Sequence, residues 1–137
     1  VKLHLIQKVM SKEVLKLFNM LVEQLSLYWL NIENISKGID CYSFRAPLGV
    51  CAGVAAFNFP TMIPLWMFPL AITCGNTFVL KPSERVAGAV NHFLITKEIG
   101  LPKGVFNVVQ GGFETTQQIC KHKDIQAVSF VGGNMAG

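Results

Sequence analysis

Apolar residues recur with a helical period over residues 5–28 of the chain. They fall on one stripe, which consists of Ile6, Val9 or Met10, Val14, Leu17, Leu21 and Leu25. This spacing predicts an amphipathic helix that covers a core. A helix lying on a membrane surface is the alternative interpretation of the same stripe. Residues 29–45 predict a polar connector that leads into an extended segment at residues 41–44.

After Pro47 the pattern predicts short apolar strands that alternate with helices. The predicted strands cover residues 50–55, 77–80, 105–109 and 127–131. The predicted helices cover residues 62–73, 87–99 and 114–121, and we expect the first of them to be broken by its prolines. Strands that alternate with helices are typical of βαβ units. The sequence therefore predicts an α/β fold with a parallel sheet, which binds ligands at the carboxyl ends of its strands.

One long stretch, from Ala46 to Leu80, carries no charged residue. Prolines interrupt it at Pro47, Pro60, Pro64 and Pro69. No uninterrupted apolar run reaches the ~20 residues that a membrane-spanning helix needs. We therefore predict no membrane span, and we interpret the stretch as buried strands around a short helix.

The composition narrows the class of protein. Of 137 residues, 51% are hydrophobic and 15% are charged, which excludes an intrinsically disordered chain. Such a low fraction of charged residues is expected of a fragment whose surface packs against further parts of a protein. The net charge is +4, but the 12 basic residues are scattered, so no nucleic-acid-binding face is predicted. The spacing of the four cysteines indicates neither a metal site nor a redox motif, and we expect reduced thiols.

The candidate chemistry lies where the predicted strands end. Lys81 and Glu84 follow a buried strand, where a lysine and a carboxylate can bind ribose hydroxyls or a phosphate. A surface ion pair at a turn is the alternative. Gly132 and Gly133 follow another strand and would let the backbone approach a pyrophosphate. A plain tight turn explains the same glycine pair.

Asn58 lies in a predicted turn between Phe57 and Phe59. Its side-chain amide could donate a hydrogen bond to an oxyanion, as acyl chemistry requires. An asparagine that caps its own turn is the alternative. The histidines lie in unrelated contexts, so their spacing predicts neither a metal site nor a catalytic triad.

Several segments together resemble the NAD-dependent aldehyde dehydrogenases. They are Arg45-Ala46-Pro47-Leu48-Gly49-Val50-Cys51-Ala52-Gly53, Phe57-Asn58-Phe59-Pro60, Leu65-Trp66-Met67-Phe68-Pro69, Cys74-Gly75-Asn76-Thr77-Phe78, Lys81-Pro82-Ser83-Glu84-Arg85 and Ser129-Phe130-Val131-Gly132. Within that family the chain is most similar to the CoA-acylating methylmalonate-semialdehyde dehydrogenase branch. Phe57 and the segment from Pro64 to Pro69 indicate that branch.

The resemblance implies part of a Rossmann-like NAD-binding domain over residues 40–137, preceded by a helical segment and connector over residues 1–39. It implies that Asn58 helps to hold the oxyanion and that Lys81 and Glu84 bind the adenosine ribose. The cofactor site would also include Ala55, Phe57, Arg85 and Gly133. Gly133 stands where the family usually has a serine that contacts the pyrophosphate.

The resemblance further implies oxidation of semialdehydes to acyl-CoA in valine and pyrimidine breakdown, a mitochondrial location and, at full length, a homo-oligomer. The family's nucleophilic cysteine lies downstream of the Gly132 turn, and none of the four cysteines matches its context. We therefore expect these 137 residues by themselves to be inactive. Two alternatives stay open, namely a CoA-independent aldehyde dehydrogenase and a non-catalytic, truncated product that binds a partner.

Overall fold

The computed structural model of this protein describes residues 16, 20, 31–43, 45–86, 88 and 100–134, with the backbone alone at 31–35 and 40. The predicted helices over residues 5–28 and 87–99 lie outside this part of the chain, apart from single positions. The strands are β1 (Asn31–Ser36), β2 (Ile39–Ser43), β3 (Val50–Val54), β4 (Thr77–Lys81), β5 (Phe106–Val108) and β6 (Ile125–Phe130). The helices are α1 (Met62–Thr73) and α2 (Phe113–Lys121).

Four of the strands form a parallel sheet in the order β5-β4-β3-β6. All four coincide with predicted strands, and their ends differ from the predicted ones by at most two residues. The chain moves outward from β3 through β4 to β5 and then returns to the other side of β3 as β6. The predicted α/β fold is confirmed. Because such crossovers are right-handed, α1 and α2 lie on opposite faces of the sheet.

The two faces of the sheet are distinguished by alternation along the strands. Cys51, Phe78 and Leu80 belong to a buried core with Met67 and Phe68 of α1. Gly53 lies in the same layer, where an added Cβ would be 2.6 Å from the Phe78 ring, so only glycine fits between this strand and its neighbour. The residues that alternate with these, including Val54 and Lys81, point to the face that α2 covers.

Helix α1 has the predicted bounds but is not broken, and that part of the prediction was wrong. Pro64 lies in the first turn of the helix. Backbone N–H groups in that turn have no acceptor within the helix, so a proline there removes no intrahelical hydrogen bond. Pro69 lies inside the helix and removes one intrahelical hydrogen bond. Both prolines are fully buried, and packing against the sheet offsets that loss. The helix ends at Thr73, and Gly75, with a φ of 85°, follows the C-cap residue Cys74 and closes the last turn.

The predicted polar connector was also wrong in part, because residues 31–43 form an antiparallel hairpin. β1 pairs with β2 from Asn31 opposite Ser43 to Ser36 opposite Ile39, with a register shift between Asn34 and Ser36. The turn between the strands contains Gly38 at a φ of 84°. A turn residue with positive φ lets the chain reverse direction. Polar residues can therefore form a hairpin where no apolar pattern predicts strands. The predicted domain boundary at residues 39 and 40 falls inside β2 and stays a prediction.

The amino edge of the sheet is held together by one buried amide. The Asn76 Oδ1 accepts the backbone N–H groups of Leu48 at 2.7 Å and Gly49 at 3.0 Å. Its Nδ2 donates to the Ala71 carbonyl at 3.0 Å. These bonds join the loop before β3 to the last turn of α1. No helix in the described ranges is long and apolar enough to cross a membrane.

Candidate cofactor cleft

A cleft of about 280 Å³ lies at the carboxyl ends of β3, β4 and β6. The strand order changes direction there, since the chain leaves β3 towards β4 and returns beside β3 as β6. In open parallel sheets, ligands bind in the crevice that such a reversal creates. The sheet therefore places its binding crevice where the sequence predicted the candidate chemistry.

The floor of the cleft is one row of residues across three strands. Val54 is the register partner of Lys81 on β4 and of Phe130 on β6. Register partners in parallel strands project from the same face, so all three side chains point to the α2 side. Phe113 and Thr116, from the start of α2, form a wall of the same cleft.

The predicted pair of Lys81 and Glu84 is formed and lines the cleft. The Lys81 Nζ donates to the Glu84 Oε2 at 3.2 Å. The lysine side chain is only 6% exposed, whereas that of the glutamate is 60% exposed. A hydrogen bond from its own backbone N–H, followed by the Lys81 ammonium, lowers the pKa of the Glu84 carboxyl. The carboxylate is therefore ionised and directed at solvent, with a cation behind it.

A tight turn after β4 positions this carboxylate. The backbone N–H of Arg85 donates to the Ser83 Oγ at 3.3 Å, and that of Val86 donates to the Ser83 carbonyl at 3.2 Å. Ser83 is buried and lines the cleft. The turn projects Glu84 towards the cleft and Arg85 to its outer side.

Arg85 and Phe57 meet at the rim of the cleft. The guanidinium carbon lies 5.1 Å from the centre of the Phe57 ring, which is cation–π distance. Phe57 lines the cleft, and Ala55 lies deeper, with its N–H donating to the Lys81 carbonyl at 3.0 Å. The contact links the loop after β3 to the turn after β4.

The two glycines after β6 form the remaining side of the cleft. Gly132 packs directly against the ring of Phe130, and an added Cβ would overlap that ring. Gly133 differs, because no atom of the described residues lies within 4 Å of the place where its Cβ would be. Position 133, where the family resemblance predicts a serine, therefore has room for a side chain.

Asn58, like Arg85, is a predicted site residue that does not line this cleft. It is exposed in the loop after β3, next to Phe57. Its predicted contact is with a reacting oxygen and not with a nucleotide, so a place outside the cleft is compatible with that role. Its role stays a prediction.

Sequence reasoning missed the wall that α2 contributes, namely Phe113 and Thr116. The signal was present, because Gly111 and Gly112 precede a helix that follows a strand. A helix that follows a parallel strand begins at the carboxyl edge of the sheet, so its first turn faces the crevice.

None of the four cysteines lines the cleft. Cys41, Cys74 and Cys120 are exposed, and Cys51 is buried on β3. Burial raises the pKa of the Cys51 thiol, and the nearby Cys74 raises it further. Cys51 therefore stays a protonated thiol, whereas covalent catalysis requires a thiolate.

The sequence and the fold are those of one protein family. The sequence model of the Aldehyde dehydrogenase family matches residues 6–137. This chain belongs to the aldehyde dehydrogenase family, and the family resemblance predicted from the motifs is confirmed.

Individual relatives indicate the branch of the family to which the chain is similar. The chain is 60% identical over 107 residues to a protein of Arabidopsis thaliana named methylmalonate-semialdehyde dehydrogenase [acylating], mitochondrial. That match covers 77% of this chain and 18% of the relative. This chain therefore spans about a fifth of the length of the curated relatives that it matches.

Solved structures agree with this similarity. A Sinorhizobium meliloti protein described as a methylmalonate-semialdehyde dehydrogenase complexed with NAD superposes with a TM-score of 0.78 at 45% identity. The superposition covers 84% of this chain and 24% of that one. An aldehyde dehydrogenase from Bacillus cereus, as its NAD+ complex, gives a TM-score of 0.83 at 29% identity, over 93% of this chain and 26% of that one.

Proposed function

We propose that these residues form the NAD-binding part of a methylmalonate- or malonate-semialdehyde dehydrogenase that transfers the acyl group to CoA. The observation that carries the proposal is the Lys81–Glu84 pair in the crevice where the strand order reverses. The names of the relatives and the NAD complexes of the solved structures support the choice of cofactor and substrate.

The cleft fits the adenosine half of the cofactor. β3 is the first strand of the doubly wound unit and β4 the second, and an acidic residue after the second strand binds ribose hydroxyls in dinucleotide folds. In the proposed complex Glu84 accepts hydrogen bonds from those hydroxyls, and the Lys81 ammonium, which has three donors, adds another. Ala55 and Phe57 follow β3, Arg85 contacts Phe57 from the turn after β4, and Gly133 approaches the pyrophosphate.

NAD, when bound, supplies the acceptor for the hydride that leaves the substrate. The chain's own contribution to the acyl chemistry is Asn58, whose amide would donate a hydrogen bond to the oxyanion. No thiol lines the cleft, so the proposal assigns to these residues cofactor binding and oxyanion stabilisation, and not the covalent step. Without the serine hydroxyl at Gly133, the site lacks one hydrogen bond, worth about 0.5–1.5 kcal/mol.

The proposal extends to the semialdehyde substrate, CoA, a homo-oligomeric assembly and a mitochondrial location. The relatives' names, which include the words acylating and mitochondrial, support CoA and the location. An assay of the native polypeptide with and without CoA separates the acylating enzyme from a CoA-independent aldehyde dehydrogenase. Turnover that does not change with CoA would contradict the acylating assignment.

The decisive experiment is a calorimetric NAD titration of the native polypeptide that contains these residues. Lys81→Ala is expected to weaken NAD binding at least about tenfold, since hydrogen bonds to charged groups contribute about 1.5–3 kcal/mol. Lys123→Ala is the matched control, because Lys123 is exposed and outside the cleft. Absence of NAD binding by the unsubstituted protein, or unchanged affinity in Lys81→Ala, would overturn the proposal.

One observation favours a second candidate, a non-catalytic protein that binds a partner. Met62, Trp66 and Leu70 are exposed at a spacing of four residues on α1, and Phe59 is exposed just before them. Such an apolar helix face is typical of an interaction surface. The intact mass of the native polypeptide, combined with the NAD titration, decides between the candidates. Partner binding without any NAD binding would favour this second one.

A further inference from the structure

We propose that the contact between Phe57 and Arg85 makes the position of Asn58 depend on the ribose-binding turn after β4. This inference rests on the proposed function and goes beyond it, because it connects cofactor binding with oxyanion stabilisation. Phe57 and Arg85 have a positioning role in this proposal, since their contact acts on the reacting oxygen through the Asn58 amide.

The loop after β3 is held at its two ends by backbone hydrogen bonds. The Ala55 N–H bonds to the last residue of β4, and the Phe59 carbonyl accepts an N–H from the first turn of α1. Phe57 and Asn58 lie between these bonds, and both residues are exposed. A side-chain contact at Phe57 therefore acts on the part of the loop that carries the Asn58 amide.

The other partner of the contact belongs to a turn that is anchored in the protein. The Arg85 N–H donates to the Ser83 Oγ at 3.3 Å, and Ser83 is buried. Glu84, the carboxylate of the proposed ribose site, is the residue before Arg85 in the same turn. A ribose that binds to Glu84 therefore orders the turn that also positions the Arg85 guanidinium.

The strength of the contact suits an adjustable connection. The Arg85 guanidinium carbon lies 5.1 Å from the centre of the Phe57 ring, and the negative face of an aromatic ring attracts a cation. At an exposed site such a contact changes an equilibrium about two- to fivefold. It therefore shifts the population of loop orientations without fixing one of them, and ordering of the turn by the cofactor strengthens that shift.

The first test is hydrogen exchange, measured by mass spectrometry, of the native polypeptide with and without saturating NAD. NAD is expected to slow exchange of the amides of residues 56–59 about two- to fivefold. Arg85→Met and Phe57→Leu are each expected to lose this slowing, even when calorimetry shows that NAD is saturating. Phe57→Tyr keeps an aromatic ring and is expected to retain it.

Lys103→Met is the matched control for this test, because Lys103 is exposed and lies outside the cleft. It is expected to show the same slowing as the unsubstituted protein. Full slowing in NAD-saturated Arg85→Met or Phe57→Leu would show that the cofactor acts on the loop without the contact, and would overturn the inference. So would an equal loss in Lys103→Met.

The second test is the single-turnover rate of NADH formation from methylmalonate semialdehyde at saturating NAD. Phe57→Leu is expected to lower this rate about two- to fivefold. In an Asn58→Ala background the same substitution is expected to cause no further loss, because no amide remains to be positioned. Equal losses in the two backgrounds would overturn the positioning role and leave the proposed function intact. Absence of NAD binding by the unsubstituted protein would overturn the proposed function and this inference together.

Discussion

The two edges of the parallel sheet each contain a buried polar side chain, and the two differ in how completely they are hydrogen-bonded. At the amino edge, the Asn76 amide bonds two backbone N–H groups and one backbone carbonyl. At the carboxyl edge, Lys81 is at least as buried as Asn76, and its hydrogen bond among the described residues goes to an exposed carboxylate. The first arrangement joins the chain to itself, and the second faces a cleft.

This difference is a better guide to function than cavity size. The cavity at the amino edge measures about 500 Å³, against about 280 Å³ for the cleft at the carboxyl edge. Volume alone would select the amino edge. The hydrogen bonds favour the carboxyl edge as the binding site. The Lys81 ammonium has three donors, whereas the Asn76 amide is already hydrogen-bonded through its oxygen and its nitrogen and has little capacity left for a ligand. The strand-order reversal favours the same edge.

The largest expected effect concerns the amino edge. Asn76→Ala removes the acceptor of the Leu48 and Gly49 N–H groups and the donor to the Ala71 carbonyl. At about 1 kcal/mol for each hydrogen bond, we expect a loss of about 3 kcal/mol in the free energy of opening of β3. Hydrogen exchange of the β3 amides measures this change. Asn107→Ala is the control, because Asn107 is exposed and donates a single bond to the Gly104 carbonyl. A loss for Asn76→Ala no larger than the control's would contradict a structural role for this amide.

A smaller effect, on affinity, is expected at the carboxyl edge. Gly133→Ser should tighten NAD binding about 2- to 10-fold, because the added hydroxyl can bond the pyrophosphate and its Cβ meets nothing within 4 Å. Calorimetric titration of the native polypeptide measures the change. Gly132→Ser is the control and should bring no gain, since its Cβ would overlap the Phe130 ring. Weaker binding by Gly133→Ser would show that the pyrophosphate lies elsewhere.

The smallest expected effect is a pH dependence that separates the two edges. The folded-state pKa of Glu84 is lowered, so its contribution to stability is present above the unfolded-state pKa and is lost as the pH falls through the folded-state value. The stability difference between the protein and its Glu84→Gln variant should be constant at neutral pH and shrink below about pH 4.3. Parallel unfolding experiments across this range measure it.

The Asn76 amide does not titrate, so the difference between the protein and its Asn76→Ala variant should not show this acidic dependence. A Glu84→Gln difference that grows on acidification would have the opposite sign and would contradict the ion pair. A dependence of equal size in both variants would remove the distinction between the edges.

The sequence was most informative where a local pattern and a turn coincided. The apolar runs and the residues that follow them predicted β3, β4 and β6 and the pair of Lys81 and Glu84 at a strand end. The hairpin at residues 31–43 was not predicted, because its polar strands are held together by backbone hydrogen bonds and show no apolar periodicity. The intact α1 was missed as well, because burial of Pro69 against the sheet decides whether the helix survives a proline.

The sequence by itself determined the alternation of strands and helices, the family and the residues at the strand ends, because these depend on short-range patterns and motifs. Only the tertiary structure decided that β6 returns beside β3, that Val54, Lys81 and Phe130 form one row, and that Phe113 faces that row. Strand order and register are set by contacts between residues far apart in the chain. Periodicity places a side chain on a face, but it does not say which strand will lie beside it.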